Sequence, residues 1–162
     1  MADLPRLLLI DDDIDDWQIA LLDNGVGPTQ IFGGTCLNAG CIPSKMFAKP
    51  AGFSLAPEQA RLINADVRFL GVDHKAAQAR VFGRTDEVAE AGLAGLASRE
   101  NVQVLIGRAT FVDQHTISVG GRQLTADRIV IAAGSRPRMP EVPGFDDPYL
   151  QAFVYTSDTI MR

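Results

Sequence analysis

Two residues with redox chemistry, Cys36 and Cys41, are the only cysteines of the chain and stand five positions apart. In a regular α-helix such positions point in different directions, so a disulfide between them requires the chain to bend. Gly40 and Asn38 lie between them and are residue types that tolerate a bend. Lys45 follows one helical turn later and supplies a cation that stabilises a nearby thiolate. The spacing therefore indicates a redox-active dithiol.

Other uses of two cysteines agree less well with this sequence. A loop of this size constrains the unfolded chain by only ~2 kcal/mol, so a structural staple is a weak interpretation. A structural zinc site needs four ligands, and the two histidines, His74 and His115, lie far from the cysteines without ligand spacing. A thioredoxin-type motif has two residues between its cysteines, whereas four separate them here.

The run from Gly33 to Lys45, which reads GGTCLNAGCIPSK, resembles the active-site signature of the flavin-dependent pyridine nucleotide:disulfide oxidoreductases. This family includes glutathione, lipoamide, mercuric and mycothiol-disulfide reductases. Residues 126–137 resemble its apolar strand that ends in a small-small-Gly turn against the flavin, and residues 155–162 resemble the entry to the next helix. Together with Met46 and Phe47, these stretches resemble the mycothione reductases most.

The resemblance implies an α/β fold, an FAD-binding Rossmann-like domain with three-layer ββα architecture, here incomplete. We expect residues 1–144 to form this flavin domain without the usual glycine turn, and residues 145–162 to lead toward an NAD(P)-binding domain. It further implies an enzyme with FAD as cofactor, NAD(P)H as electron donor and a small-molecule disulfide as substrate. Full-length members are expected to be homodimers, whereas these 162 residues alone are expected to be inactive and not to dimerise.

The resemblance also assigns roles to individual residues. Cys36 corresponds to the interchange thiol that attacks the substrate disulfide, and Cys41 to the proximal thiol that stacks against the flavin. Lys45 corresponds to a lysine beside the flavin ring. Besides Cys36 and Lys45, the positions that correspond to flavin contacts are Asp23, which would bind the adenosine ribose, and Gly33, Gly34, Thr35, Ala109, Ala133 and Gly134.

The amino-terminal part departs from the pattern of the family. A flavin-binding βαβ unit needs a Gly-x-Gly-x-x-Gly turn after its first strand, but the apolar residues 7–10 are followed by the acidic run 11–16. Acidic side chains repel a pyrophosphate, so we expect the chain to bind no flavin, and a glycine turn inserted after Ile10 to restore weak binding.

Other interpretations remain beside the enzyme. A strand followed by acidic residues is similar to the start of a receiver domain, where acids hold Mg²⁺. A receiver needs a lysine late in the chain, and the lysines here are Lys45, Lys49 and Lys75. The others are a relative of lipoamide dehydrogenase or mercuric reductase, and a non-catalytic remnant that kept the motif without a cofactor.

Composition excludes several classes of partner. The 15 basic and 20 acidic residues give a net charge of −5, which offers no attraction to nucleic acid or to an anionic membrane. No apolar run approaches the ~20 residues needed to span a bilayer, and the first residues lack the basic start of a secretory signal. We therefore expect a cytoplasmic protein, in which a close cysteine pair is more often catalytic than structural.

Hydrophobic patterning predicts the elements that position these residues. Helices are expected from the first cysteine to Lys49 with an interruption at Pro43, and at residues 57–63 and 86–98. Loops or turns are expected at 25–30, 113–115, 120–121 and 136–144. Strands are expected at residues 7–10, 18–22, 102–106, 109–112, 116–119 and 128–131.

Overall fold

The computed structural model describes residues 6–10, 18–25, 30–145 and 147–162. A 3₁₀ turn, Phe53–Leu55, joins the second helix to the third. The helices are α1 Thr35–Asn38, α2 Cys41–Gly52, α3 Ala56–Arg61, α4 His74–Ala97 and α5 Pro148–Gln151. The strands are β1 Arg6–Ile10, β2 Ile19–Asp23, β3 Val102–Ile106, β4 Ala109–Phe111, β5 Thr116–Val119, β6 Arg122–Thr125 and β7 Arg128–Ile131.

Four strands form one sheet in the order β3-β2-β1-β7. β2 and β3 are parallel, whereas β1 is antiparallel to both of its neighbours, β2 and β7. Only residues 11–18 connect β1 to β2, which is too few for the crossover of a dozen or more residues that parallel neighbours require. The last residue of β1, Ile10, therefore pairs with Ile19, where β2 begins. These two residues lie at one edge of the sheet formed by strand ends, and Asp23, where β2 ends, lies at the opposite edge.

The hydrophobic core lies between this sheet and a second, three-stranded antiparallel sheet, β4-β5-β6. Gly120 and Gly121 connect β5 to β6 with φ angles of 55° and 78°, which glycine adopts without steric cost. β6 was absent from the sequence-based prediction because its pattern is mostly polar. The buried members of the core are Leu22, Ala109, Ile117, Val119 and Ala126.

The longest helix, α4, packs its buried face against α2 and β3. It begins twelve residues before the predicted residue 86, because the Asp73 carboxylate caps its first turn by accepting the Ala76 N–H at 2.9 Å. At its middle, the Arg162 guanidinium pairs with Asp86 and lies 4.2 Å above the centre of the Phe82 ring. No helix in the described part of the chain is both long and apolar enough to cross a membrane.

The helix that carries the cysteines is interrupted at a different place from the one predicted. The break falls at Ala39 and Gly40, between α1 and α2, while Pro43 lies inside the first turn of α2. The first four N–H groups of a helix have no intrahelical partner, so proline there costs no hydrogen bond. The other predicted helix, 57–63, is confirmed as α3 with slightly earlier ends. The acidic run 11–16 and residues 26–29 of the predicted loop lie outside the described residues.

Candidate active site

The two cysteines meet at the bend between α1 and α2. The Ala39 N–H donates to the Thr35 carbonyl at 2.9 Å and closes the short α1, after which α2 begins at Cys41 itself. Both cysteines are exposed free thiols, and the Cys41 side chain lies near enough to Cys36 to raise the pKa of its thiol. The predicted bend is therefore confirmed, and it brings two positions together that a continuous helix would separate.

Gly40 allows this close approach because it has no side chain. A Cβ atom at this position would lie 2.9 Å from the Thr35 carbonyl oxygen and 3.3 Å from the Thr35 carbonyl carbon. Both obstacles belong to the backbone of α1, which cannot rotate away as a side chain can. Any larger residue would therefore push the start of α2 away from α1 and separate the two thiols.

The pKa of the Cys36 thiol is raised above its ordinary value. The largest cause is the hydrogen bond to the Cys41 side chain, followed by partial desolvation and by repulsion from Cys41. A hydrogen bond to the Cys41 backbone and the charge of Lys45 act in the opposite direction but are smaller. Lys45 therefore acts in the direction expected from the sequence, but the second thiol outweighs it, so the pKa of Cys36 is raised overall.

Removing the second thiol should make Cys36 more reactive. In Cys41→Ala the two raising effects of the Cys41 side chain disappear and the lowering backbone hydrogen bond remains, so the pKa of Cys36 falls and its thiolate fraction at pH 7 rises. We expect alkylation of Cys36 by iodoacetamide to become severalfold faster, with its rise against pH displaced to lower pH. In urea, where the contact is lost, both proteins should react at one rate. An unchanged rate in the folded variant would contradict the assigned cause.

Removing the lysine should have the opposite effect on the same thiol. Lys45 lowers the pKa of Cys36, so Lys45→Ala should raise it further and slow alkylation at pH 7, by less than tenfold because the charge is exposed. Lys49→Ala removes an equal charge one turn further along α2 and serves as the control. Equal rates for the two variants would show that the charge of Lys45 does not act on Cys36.

Asp23 connects the end of β2 to the start of the cysteine segment. Its side chain is 1% exposed, and its carboxylate accepts the Gly25 N–H at 2.7 Å and the Gly33 N–H at 3.1 Å. The carboxylate thus holds the chain where the signature run begins. Ribose binding by Asp23 stays a prediction.

The remaining predicted flavin contacts lie in three places: after β7, at the start of α1, and in β4. Ala133 and Gly134 follow β7, which runs in the same direction as β2, so they lie at the same edge of the sheet as Asp23. Gly134 is exposed with a φ of 66°. Thr35 is exposed at the start of α1, whereas Ala109 is 2% exposed and lies in the core. The structure therefore gathers the predicted residues at one edge, except that Ala109 has little free surface there.

The described residues do not complete a site for FAD. In a flavin-binding βαβ unit, the pyrophosphate sits at a helix amino end that follows the carboxyl end of the first strand. Here β1 ends at Ile10, at the edge opposite Asp23 and the cysteine segment. The described residues also include no cluster of three or more His, Cys, Asp or Glu side chains that could hold a metal ion.

Asn38 is a residue of the site whose side chain had no assigned role in the sequence-based prediction. It is 2% exposed, and its Nδ2 donates to the carbonyl oxygens of Phe32 at 3.1 Å and Gly34 at 3.4 Å. The signal in the sequence was an amide residue between the two cysteines. The prediction used Asn38 only as a residue type that tolerates a bend in the chain.

Comparison with known proteins identifies the family. Residues 17–162 match the family described as pyridine nucleotide-disulphide oxidoreductase. The chain belongs to this family. Its members are flavin-dependent disulfide oxidoreductases, so the predicted family, enzyme class and fold class are confirmed. A receiver domain is not the fold of the matched residues.

Individual relatives agree with the family and cover most of the chain. Mycothione reductase of Mycobacterium tuberculosis is 36% identical over 140 residues, which are 81% of this chain and 29% of that protein. Glutathione reductase of Nostoc sp. is 31% identical over 121 residues, 75% of this chain and 26% of that protein. Among solved structures, the HOCl-induced flavoprotein disulfide reductase RclA from Escherichia coli matches with a TM-score of 0.64 and 25% identity, over 88% of this chain and 28% of that one. The chain thus spans less than a third of the length of these relatives.

Proposed function

We propose that these residues belong to a flavin-dependent NAD(P)H:disulfide oxidoreductase that reduces a low-molecular-weight disulfide of the mycothione type. The observation that carries the proposal is the pair of exposed free thiols, Cys36 and Cys41, on either side of the bend between two helices. The 36% identity to mycothione reductase supports the type of substrate. NAD(P)H is the proposed electron source, with FAD as its carrier. The cytoplasm is the proposed compartment and a homodimer the proposed assembly of the whole protein.

The two thiols can reduce a disulfide by two successive exchanges. The Cys36 thiolate attacks one sulfur of the substrate, a mixed disulfide forms, and the first product thiolate leaves and takes up a proton. The Cys41 thiolate then attacks the Cys36 sulfur and expels the second product thiol. Two electrons pass to the substrate, and the Cys36–Cys41 disulfide remains. The Cys41 backbone and Lys45, which favour ionised Cys36, assist the first attack.

Single replacements of the cysteines test this order of events. In Cys41→Ser the second exchange cannot occur, so incubation with mycothiol disulfide should trap a stable mixed disulfide on Cys36, which mass spectrometry detects. The wild-type chain should instead lose two hydrogen atoms and form the internal disulfide. Glutathione disulfide in a parallel incubation tests the choice of substrate.

Two outcomes of this experiment would contradict the proposal. Trapping in Cys36→Ser but not in Cys41→Ser would reverse the two roles. A wild-type chain whose cysteines never form a disulfide would remove the proposed function altogether.

A second candidate is a non-catalytic chain that kept the cysteine motif without binding a cofactor. The direction of β1 favours it, because the strand that should lead into the pyrophosphate site ends at the opposite edge of the sheet. The two candidates differ in one property, which is whether the purified chain binds flavin.

A further inference from the structure

A partly buried set of hydrogen bonds connects the central sheet to the cysteine pair. It starts at the Asp23 carboxylate, which accepts the Gly33 N–H. The carbonyl groups on either side of Gly33, those of Phe32 and Gly34, both accept hydrogen bonds from Nδ2 of Asn38. We call this set the Asp23–Asn38 network. None of the roles assigned by the resemblance uses its last member, Asn38.

The orientation of the Asn38 amide is fixed by its partners. A rotated amide would place Oδ1 against two carbonyl oxygens, so Nδ2 must face them. Oδ1 is then buried, and it has no hydrogen-bond partner among the residues the structure describes. A buried acceptor without a donor lowers stability. An apolar side chain would avoid that cost but would remove the amide donor of the Phe32 carbonyl, whereas the Gly34 carbonyl would still accept the backbone N–H groups of Leu37 and Asn38 at 3.1 Å. The hydrogen bond to Phe32 is therefore what the amide chiefly provides.

Asn38 is also placed to transmit this support to the redox pair. It is the last residue of α1, which carries Cys36, and the turn after it leads directly to Cys41. Its Nδ2 lies so close to Gly33 that a Cβ atom there would be 3.0 Å away. The amide therefore holds α1 against residues 32–34, which Asp23 in turn holds against β2.

We propose that Asn38 is a positioning residue of the cysteine pair. By holding α1 in place, its amide sets the separation of the Cys36 and Cys41 sulfurs and with it the equilibrium between dithiol and disulfide. Without the amide, α1 is free to shift, the effective concentration of one thiol at the other falls, and the disulfide becomes less stable. This inference rests on the proposed redox function of the pair.

The experiment is a thiol–disulfide equilibrium with dithiothreitol. Protein dithiol and oxidised dithiothreitol exchange two electrons and two protons: the Cys36–Cys41 bond forms, the disulfide of the reagent breaks, and both of its sulfurs become thiols. In Asn38→Ala and Asn38→Asp we expect the equilibrium to move about tenfold toward the protein dithiol, equivalent to about 30 mV. Asn64→Asp, the same change at an exposed position, should stay within twofold of the wild type.

All proteins are measured in trimethylamine N-oxide, which favours the folded state of a weakened variant. Urea unfolding of the oxidised and reduced forms then gives a second measure of the same shift. A purely structural residue destabilises both forms equally, whereas a positioning residue destabilises the oxidised form more.

A shift below threefold, or equal destabilisation of the two forms, would overturn the inference about Asn38. Failure of the wild type to form the disulfide is a different result, because it removes the proposed function itself.

Discussion

The 162-residue chain is expected to purify colourless, with no stoichiometric flavin and no NADPH-dependent disulfide reductase activity. A bound pyrophosphate needs oriented N–H donors at a helix amino end, and the strand that should lead to them, β1, ends at the wrong edge of the sheet. Each lost charge-assisted hydrogen bond costs ~1.5–3 kcal/mol, so loss of several lowers the affinity by orders of magnitude. The visible absorbance spectrum and a titration with FAD measure the result.

The control for this prediction is a chain in which β1 can reverse its direction. A glycine turn alone, inserted after Ile10, would lie at the edge opposite Asp23, so the expectation drawn from the sequence needs correction. Replacing residues 11–18 by a complete Gly-x-Gly-x-x-Gly turn and helix gives the crossover that a parallel β1 requires. This variant should bind measurable flavin. A yellow preparation of the unmodified chain would show that β1 does not limit binding.

Asp23→Ala should cause the largest loss of stability among single replacements near the site. The change removes a buried carboxylate and leaves the Gly25 and Gly33 N–H groups without this acceptor. Two hydrogen bonds to a charged group are worth roughly 3–6 kcal/mol, a large part of the 5–15 kcal/mol that typically stabilises a domain. Urea unfolding followed by circular dichroism should therefore show a much lower midpoint or no folded baseline.

Two further variants identify the source of this loss. Asp23→Asn keeps the shape and one acceptor, so we expect about half of the effect. Asp66→Ala removes an exposed aspartate and should change the free energy of unfolding by no more than about 0.5 kcal/mol. If Asp23→Ala unfolded at the same urea concentration as Asp66→Ala, the two hydrogen bonds of Asp23 would not stabilise the fold.

The sequence predicted the parts of the molecule that depend on neighbouring residues. The bend between Cys36 and Cys41 followed from their spacing and from Gly40, which the structure confirms. Strands β1, β3, β5 and β7 followed from short apolar runs between turn residues, and the Gly120–Gly121 hairpin from its glycines.

The parts that were missed depend on contacts between distant residues. Asp23 appeared as an acid at the end of a strand, and nothing local showed that Gly33, ten positions later, would donate to it. The buried state of Asn38 likewise depends on how α1 lies against residues 32–34. The break was placed at Pro43 because its missing N–H and fixed φ suit the first turn of a helix, but not its interior. The structure starts that first turn two residues earlier, at Cys41, a position that depends on how α1 ends.

The antiparallel pairing of β1 with β2 also has a consequence for the order of folding. These strands are close in sequence, so their pairing closes a small loop, and hairpins form in about 1–10 μs. Their outer neighbours, β3 and β7, arrive from more than seventy residues away along the chain, and such non-local contacts form slowly. During that interval both sides of the β1–β2 pair present unpaired backbone groups, which are sites for association between chains. We expect refolding yield to fall steeply as protein concentration rises, while the refolded fraction regains the same stability.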